Sequence, residues 1–320
     1  MILSALEALV APETAGDPMS TQKWVRSSLR TLSSRLASVG HTISPPTVGR
    51  LLRKLEYSLH VNSKQVEARS NHPDRDTQFS YIDQQRASFA AAGLPTISVD
   101  TKKKELVGNF KQAGRAWGRE PIAVNIHDFR QDSLGRAVPY GIYDVLHNRG
   151  TVYVGTSAET AAFAVDAIAG WWQREGQASF PGANQLLILA DAGGANSCQT
   201  RLWKERLQAV LCDRLGLTVT VCHYPTGCSK WNPVEHRLFG FISSNWAGTP
   251  LRTWDLLLAA IRGTTTKAGL TVEAVLHPVR YETGWSVTDQ LMRTLNLERH
   301  AVCPAWNYTL RPRPHAASAT

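Results

Sequence analysis

The sequence has few cysteines and contains no Cys-x-x-Cys pair. Its 320 residues include five cysteines, at positions 198, 212, 222, 228 and 303. An odd number without close pairs argues against a disulfide framework and against a four-cysteine zinc site, and it is typical of free thiols in a reducing compartment. Cys222, His223 and Cys228 form the one grouping that resembles a metal site, but a strand followed by a loop is the simpler interpretation.

Long apolar runs and an excess of acidic residues are also lacking. No stretch approaches the ~18 apolar residues of a membrane span, and the N-terminus lacks the basic start of a signal peptide. We therefore expect a soluble, intracellular protein. Hydrophobic residues make up 43% of the chain, which is enough for a substantial core, and the net charge is +9. A basic balance favours a polyanionic partner such as nucleic acid, although scattered surface charges produce it as well.

The first part of the chain predicts a small helical domain. Residues 1–20 are interpreted as a connector, with a truncated start as an open alternative. Residues 21–37 and 44–55 show helical spacing of apolar positions around a Gly40 stop. We assign residues 21–62 to a helix-turn-helix or winged-helix DNA-binding domain. Its second helix would contact DNA through three basic residues, Arg50, Arg53 and Lys54. An ordinary helical hairpin with a solvated basic face is the alternative.

The remainder predicts an α/β domain over residues 96–300. Residues 63–95 are interpreted as a linker containing a helix, and residues 301–320 as a basic, proline-containing tail. Alternating or continuous apolar runs predict strands, and helical periodicity predicts helices between them. The strands are expected at 96–100, 123–127, within 140–154, 186–191 and 219–222, and the helices at 157–172, 199–215 and from Asn232 onward.

Three acidic residues lie at two strand ends and at the start of a helix. The direction of the chain in these elements could bring the three side chains together. Asp100 and Asp191 each end a strand, and Glu235 follows Asn232 and Pro233 at the start of a helix. Phosphoryl transfer on DNA requires neutralised charge on the attacking and leaving oxygens, which two carboxylate-bound metal ions provide. Each acid also has a structural alternative. Asp100 and Asp191 can simply end strands, and Glu235 occupies the position of a capping-box residue.

Several sequence runs around these acids resemble one known family. ISVDTKKKELVGNF, LLILADAGGANS and HYPTGCSKWNPVEHRLFGFIS are similar to the three acidic motifs of the Rhodopirellula-type DDE transposases of bacterial insertion sequences, the ISAzo group, distant relatives of the Tc/mariner transposases. The similarity extends to GDPMS, HTISPPTVGRLLRKLEYSL, HPDRD, TTTKAGL and WNYTLRPR. It therefore covers essentially the whole chain.

The resemblance implies a fold, a reaction and a set of partners. The fold would be a ribonuclease H-like mixed five-stranded sheet flanked by helices, with Asp100, Asp191 and Glu235 binding two Mg²⁺ ions, for which Mn²⁺ can substitute. Double-stranded DNA with terminal inverted repeats, a target DNA and further copies of the chain, as a dimer or higher multimer, would be the partners. The protein would lie in the bacterial cytoplasm, associated with the nucleoid. Lys102 and Lys230 would contact phosphates, and Asn196 and Asn232 would position metal ligands.

Two other functions are compatible with the same sequence. One is a truncated or domesticated DNA-binding protein that has lost catalysis. The other is a ribonuclease H-like nuclease that cuts DNA without dependence on repeat sequence.

Overall fold

Two compact units make up the chain, residues 1–66 and residues 67–320. The structure is a computed structural model, and it describes residues 2–10, 14–16, 23–25, 27–55, 57, 72–116 and 120–314. Within these ranges, none of the helices has the length and apolar character needed to cross a bilayer.

The described residues of the first unit form three short helices and a two-stranded ribbon. Its elements are α1 (Ile2–Val10), β1 (Thr14–Gly16), β2 (Lys23–Val25), α2 (Leu29–Ser38) and α3 (Pro45–Lys54). The helices bury a small apolar core made of Leu6, Val10, Leu32, Leu36 and Val48. Helix α1 was not anticipated by the interpretation of residues 1–20 as a connector. The GDPMS run lies almost wholly outside the described residues.

The predicted helix over residues 21–37 is wrong in its first part. Residues 23–25 form β2, which pairs antiparallel with β1. Helix α2 begins only at Leu29, because the Ser28 hydroxyl accepts a hydrogen bond from the Thr31 amide at 3.1 Å and so caps the helix. The predicted stop is confirmed: Gly40 adopts φ +85°, a conformation that glycine enters without steric cost. The helix-turn-helix interpretation of α2 and α3 stays a prediction.

The second unit is a mixed α/β domain. Its strands are β3 (Thr96–Thr101), β4 (Glu105–Val107), β5 (Gly135–Asp144), β6 (Arg149–Gly155), β7 (Gln185–Asp191), β8 (Thr218–Tyr224), β9 (Thr271–His277), β10 (Leu297–Arg299) and β11 (Asn307–Leu310). Its helices are α4 (Arg75–Ala91), α5 (Ala161–Trp171), α6 (Arg201–Arg206), α7 (Gly240–Asn245), α8 (Trp254–Arg262) and α9 (Asp289–Arg293). Wider π-helical turns extend α5 at Trp172–Gly176 and α6 at Leu207–Arg214, and a third, Glu235–Phe239, precedes α7.

These strands form one nine-stranded sheet with the order β10-β11-β8-β7-β3-β5-β6-β9, and β4 pairs with β5. Strand β3 is parallel to β7, and β7 is parallel to β8, whereas β5 is antiparallel to both β3 and β6. The central strands β8-β7-β3-β5-β6 are the five-stranded mixed sheet of a ribonuclease H-like fold, as predicted. Strands β9, β10 and β11 extend this core at its edges, and β4 pairs with the beginning of β5.

Two features of the strand prediction differ from the structure. Residues 123–127 form no strand, and the Ile126 side chain is 94% exposed, because these residues lie in a loop that leads to β5. Residues 307–310, assigned to the tail, form β11 instead. The β11 side chains are buried against β8, with Tyr308 opposite Val221. An apolar run alone does not distinguish a strand from a loop, since pairing depends on a partner elsewhere in the chain.

Helices cover both faces of the sheet. Helix α5 and the α6 region pack on one face with Val138, Tyr140, Ile142, Leu186 and Ile188. The turn Glu235–Phe239 and helices α7 and α8 pack on the other face. Gly141 and Gly150 allow this close packing, because a Cβ atom at either position would overlap Phe239 or Leu238. The segment that begins with Glu235 is therefore seated directly on β5 and β6.

Candidate active site

Asp100 and Asp191 lie side by side at one edge of the sheet. Strands β3 and β7 are parallel, and Val99 is opposite Ala190 in their register. The next residue on each strand is an aspartate, so the two carboxylates leave adjacent strands at the same level. Adjacent strands are about 4.8 Å apart, which brings both side chains within reach of a shared cation. Parallel pairing thus converts two strand ends far apart in the sequence into one acidic site.

Glu235 is brought to this edge by Asn232, which is completely buried. The Asn232 side-chain amide donates hydrogen bonds to Asp191 Oδ1 at 3.1 Å and to the Val99 carbonyl at 3.2 Å. Its carbonyl oxygen accepts a hydrogen bond of 2.5 Å from the Ser98 hydroxyl. Asn232 thereby joins three chain segments: the strand before Asp100, Asp191 itself and the helical turn that carries Glu235.

Ser98 completes this arrangement by capping the turn that carries Glu235. Its hydroxyl accepts a hydrogen bond of 2.9 Å from the Val234 amide. The alternative role of Glu235 was that of a capping-box residue at the start of a helix. In the structure the cap comes from Ser98 on β3, while the Asn232 side chain bonds to strand residues. The Glu235 carboxylate instead lies close enough to Asp100 for its charge to raise the pKa of Asp100.

The electrostatics of the site reflect three acids held together. Burial raises the pKa of Asp100 to about 8, with the Asp191 charge as the second cause, and the Thr101 amide and Glu235 act more weakly in opposite directions. Burial also raises the pKa of Asp191 to about 6; the Asn232 hydrogen bond opposes this shift and the Glu235 charge adds to it. Each carboxylate disfavours ionisation of its neighbour, and a bound cation relieves such repulsion.

The carboxylates do not form a closed metal cage by themselves. Across the described ranges, no group of three or more His, Cys, Asp or Glu side chains is gathered tightly enough to count as a metal-ligand cluster. Asp100, Asp191 and Glu235 nonetheless lie near enough for the charge of one acid to raise the pKa of another. An all-oxygen donor set of this kind matches hard divalent cations that retain several waters.

Comparison with known proteins assigns the family. The profile of the family described as "Rhodopirellula transposase DDE domain" matches residues 5–312. The chain belongs to this transposase family. No curated protein sequence matches it significantly.

Solved structures similar to this transposase are mariner transposase complexes. The Mos1 paired-end complex with the left transposon end has 14% sequence identity and a TM-score of 0.40, and the match covers 79% of this chain and 67% of that one. The pre-cleavage Mos1 transpososome has 11% identity and a TM-score of 0.41, with 79% and 68% covered. The Mos1 paired-end complex with Mn has 14% identity and a TM-score of 0.39, with 79% and 68% covered.

A buried hydrogen-bond chain behind Asp191 was missed by the sequence analysis of this transposase. The Trp203 indole donates to the Tyr308 hydroxyl at 2.9 Å, and this hydroxyl lies 3.1 Å from His223 Nε2. His223 Nδ1 lies 3.0 Å from the Asp191 carbonyl oxygen. Because an indole only donates and a carbonyl only accepts, the chain runs in one direction, with Tyr308 donating to Nε2 and Nδ1 donating to Asp191.

The hydrogen bonds of this buried chain also indicate the role of His223. Burial lowers the pKa of His223 to about 4, so the ring is neutral at physiological pH. Both ring nitrogens are engaged, which removes His223 as a ligand in a Cys222–His223–Cys228 metal site. A sequence signal was present, since a histidine at the end of an apolar strand is a polar group that must find buried partners. Its partners were not readable from the sequence.

The remaining predicted site residues have different surroundings. Asn196 is buried and accepts a 2.9 Å hydrogen bond from Tyr140, whose neighbour across the sheet is Thr101. Lys102 is only 8% exposed, with its ammonium 4.5 Å from the Trp246 ring centre and 3.4 Å from Glu105. Lys230 is exposed, and its ammonium lies 5.5 Å from the Trp231 ring centre.

Arg50, Arg53 and Lys54 are exposed on α3, in the first unit. The structure therefore brings Asp100, Asp191, Glu235 and Asn232 together, with Asn196 one contact away through Tyr140. Lys102 lies beside this group but faces inward. The basic residues of α3 are part of a separate unit.

Proposed function

We propose that this transposase cleaves phosphodiester bonds at insertion-sequence ends and joins the freed ends to target DNA. The observation that carries the proposal is the Asn232 hydrogen-bond set, which ties the Asp100 strand, Asp191 and the Glu235 turn into one acidic site. A site whose only function is structural gains nothing from three mutually repelling carboxylates, since burying like charges destabilises the fold.

Asp100, Asp191 and Glu235 would hold two divalent ions, Mg²⁺ or Mn²⁺. Such ions, when bound, neutralise charge on the scissile phosphate and favour deprotonation of the attacking water or hydroxyl. Asp191, which Asn232 holds beside Asp100, would bind these ions together with Asp100 and Glu235. Asn232 and Ser98 would keep these carboxylates aligned while the charge on the phosphate changes.

DNA would reach the site through contacts of both units. The exposed Arg50, Arg53 and Lys54 on α3 are suited to phosphate contacts at the terminal inverted repeats, and Lys230 near Glu235 would contact phosphate close to the reacting bond. Lys102 is too buried to act as a free phosphate contact, so we assign it to supporting Glu105 and Trp246. Pairing of two DNA ends would require at least a dimer, with the protein located on DNA in the cytoplasm.

The test is strand cleavage on labelled duplexes carrying the element's ends. We expect wild type to nick the end in Mg²⁺ or Mn²⁺ and to bind without cutting in Ca²⁺. Asp191→Asn should bind equally well and lose at least about a thousandfold in cleavage rate, a barrier increase of roughly 4 kcal/mol. The matched control is Asp128→Asn, an exposed acid in the loop before β5.

Two outcomes contradict the proposal. If wild type binds the ends but never cuts them in Mg²⁺ or Mn²⁺, the chain is a DNA-binding protein without catalysis. If it cuts unrelated duplexes as readily as the ends, it is a nuclease. Equal losses in Asp191→Asn and Asp128→Asn would argue against a specific role for Asp191.

A further inference from the structure

A second feature of functional interest lies at the sheet edge that carries the acids. The edge is defined by the carboxyl ends of β3, β7, β6 and β9 and by the start of the antiparallel β5. Gly155 at the end of β6 is opposite His277 at the end of β9 and opposite Val138 on β5. The segments that follow these ends, together with residues 130–136, line a groove of about 1420 Å³.

Three exposed arginines give this groove a positive charge. Arg130, Arg136 and Arg280 line it, together with a single acid, Glu282. Within the described residues, none of the three guanidinium groups has a hydrogen-bonding or ion-pairing partner. Other arginines of this unit form ion pairs with carboxylates. The Arg206 guanidinium, for example, lies 3.2 Å from the Asp166 carboxylate. Three unpaired guanidinium groups around one groove create a local excess of positive charge.

The groove is built on fixed backbone. The Ser157 hydroxyl donates to the Val279 carbonyl at 3.0 Å and accepts from the Tyr281 amide at 3.1 Å, so it holds the segment on both sides of Arg280. The Tyr281 hydroxyl donates to Asp166 at 2.8 Å, which fixes the segment to α5. Arg136 lies within β5 and pairs with Leu106 of β4. A ligand that meets these arginines need not order the loops that carry them, which lowers the entropic cost of binding.

The distance between Arg136 and the acidic site indicates how long a ligand must be to contact both. Asp100 is opposite Gly141 on β5, and Arg136 is 141 − 136 = 5 residues away on the same strand. At about 3.3 Å per residue, Arg136 is roughly 17 Å from the acidic site along the strand direction. One DNA strand advances about 3.4 Å per nucleotide, so this span corresponds to about five nucleotides. A small anion bound at the acids would not reach the groove, but a DNA strand would.

We infer that the groove lined by Arg130, Arg136 and Arg280 binds the phosphate backbone of duplex DNA that flanks the reacting phosphate. The inference rests on the proposed function in taking DNA as the substrate of the acidic site. The contacts are to phosphates, so they add affinity and hold the duplex in register, and they do not read base sequence. Thr156 on the groove wall is a short polar side chain suited to the same backbone.

The experiment compares two charge-matched double variants of the full chain. Arg136→Ala with Arg280→Ala removes two charges from the groove. Arg149→Ala with Arg214→Ala removes two exposed charges near the opposite edge, where β6 begins and β8 is about to begin. Affinity for a labelled duplex carrying the element's end is measured in Ca²⁺ between 50 and 200 mM salt. Thermal unfolding of each variant verifies that it is folded.

We expect the affinity of the groove variant to fall at least about tenfold near 0.1 M salt. The plot of log K against log salt should become less steep by roughly 1.8, since each phosphate contact contributes about 0.9 to its steepness. The control should lose less than about twofold. Arg136→Lys with Arg280→Lys should retain most of the affinity, because a point charge satisfies a phosphate. Cleavage at saturating DNA by the control variant should stay close to wild type.

Different results overturn the inference and the proposed function. Equal affinity loss in the groove and control variants, or no loss in either, overturns the groove inference while leaving cleavage by wild type intact. A groove-specific affinity loss in a protein that never cleaves supports the groove and contradicts the catalytic proposal. Absence of DNA binding by the wild type overturns both. If the unfolding temperature of the groove variant falls, Arg136→Gln with Arg280→Gln removes the same two charges while keeping most of the side-chain volume.

Discussion

The side-chain amide of Asn232 lies 3.1 Å from Asp191 Oδ1, although 41 positions separate the two residues. This hydrogen bond lowers the pKa of Asp191 relative to what burial alone would produce. It also fixes the orientation of a carboxylate whose neighbours repel it. Asn232 thus combines a structural and an electrostatic role, and its replacement should affect both.

Asn232→Ala should reduce stability and cleavage together. It leaves the Ser98 hydroxyl proton without its acceptor and removes a donor from Asp191 Oδ1 and from the Val99 carbonyl. Each buried group left unsatisfied costs about 1–3 kcal/mol. Urea unfolding of Asn232→Ala, Ser98→Ala and the double variant measures the coupling. We expect the two substitutions to be non-additive by more than about 0.5 kcal/mol, because they remove members of one network. Strict additivity would mean that the residues act independently.

The metal-free protein should become less stable as pH rises from 6.5 to 8. The folded-state pKa of Asp100 is raised to about 8, so in this range the folded state retains a proton that the unfolded state has lost, and stability falls with rising pH. The buried His223, with its pKa lowered to about 4, is neutral in the folded state, whereas in the unfolded state it still binds protons near pH 6.5. Its contribution opposes that of Asp100 near pH 6.5 and fades as the pH approaches 8. The slope should approach about 1.4 kcal/mol per pH unit.

Urea unfolding in EDTA at several pH values measures this slope. Asp100→Asn should abolish it, whereas Asp128→Asn should preserve it. Addition of Mg²⁺ should raise stability most at pH 8, because a bound cation favours the ionised carboxylate. If the stability of the wild type does not change between pH 6.5 and 8, the pKa of Asp100 is not raised in the folded state.

Tyr308→Phe should destabilise the fold by about 1–3 kcal/mol or more, because it leaves both His223 Nε2 and the Trp203 indole without a buried partner. Tyr143→Phe is the matched control. The Tyr143 hydroxyl bonds Asn148 at 2.9 Å near the surface, where water can replace the lost group. Chemical unfolding measures the loss in free energy of unfolding in the two variants. Similar losses would indicate that the hydrogen-bond chain behind Asp191 stabilises the fold no more than the Tyr143 hydrogen bond does.

Gly141→Ala should destabilise the protein by about 1–3 kcal/mol and reduce cleavage, because the added methyl group overlaps Phe239 and displaces the segment that begins with Glu235. Gly240→Ala, in α7, provides a control with the opposite sign. Its Cβ would lie 3.5 Å from the Glu235 carbonyl oxygen, an ordinary contact. Alanine in a helix should stabilise it by roughly 0.5–1 kcal/mol relative to glycine. Thermal unfolding and end cleavage distinguish the two variants.

Local sequence pattern predicted the central strands well. β3, β7 and β8 are short apolar runs bounded by glycine, proline or polar residues, and their positions follow from burial on both faces. The same approach failed for residues 123–127, whose apolar side chains have no strand to pair with. It also cannot separate the three lysines that follow Asp100, at positions 102 to 104. Lys102 is buried, Lys103 is exposed and Lys104 pairs with Glu159 at 2.7 Å, three environments that identical letters cannot distinguish.

The sequence by itself determined the acids and the elements that carry them. Strand periodicity and turn residues are local properties, so Asp100 and Asp191 could be assigned to strand ends and Glu235 to a helix start. Only the tertiary structure decided that Ser98 caps that helix, that Asn232 holds Asp191, and that His223 bonds behind it. These contacts join residues as much as 136 positions apart. They depend on strand order and register, which arise from packing of the whole sheet and which no local pattern encodes.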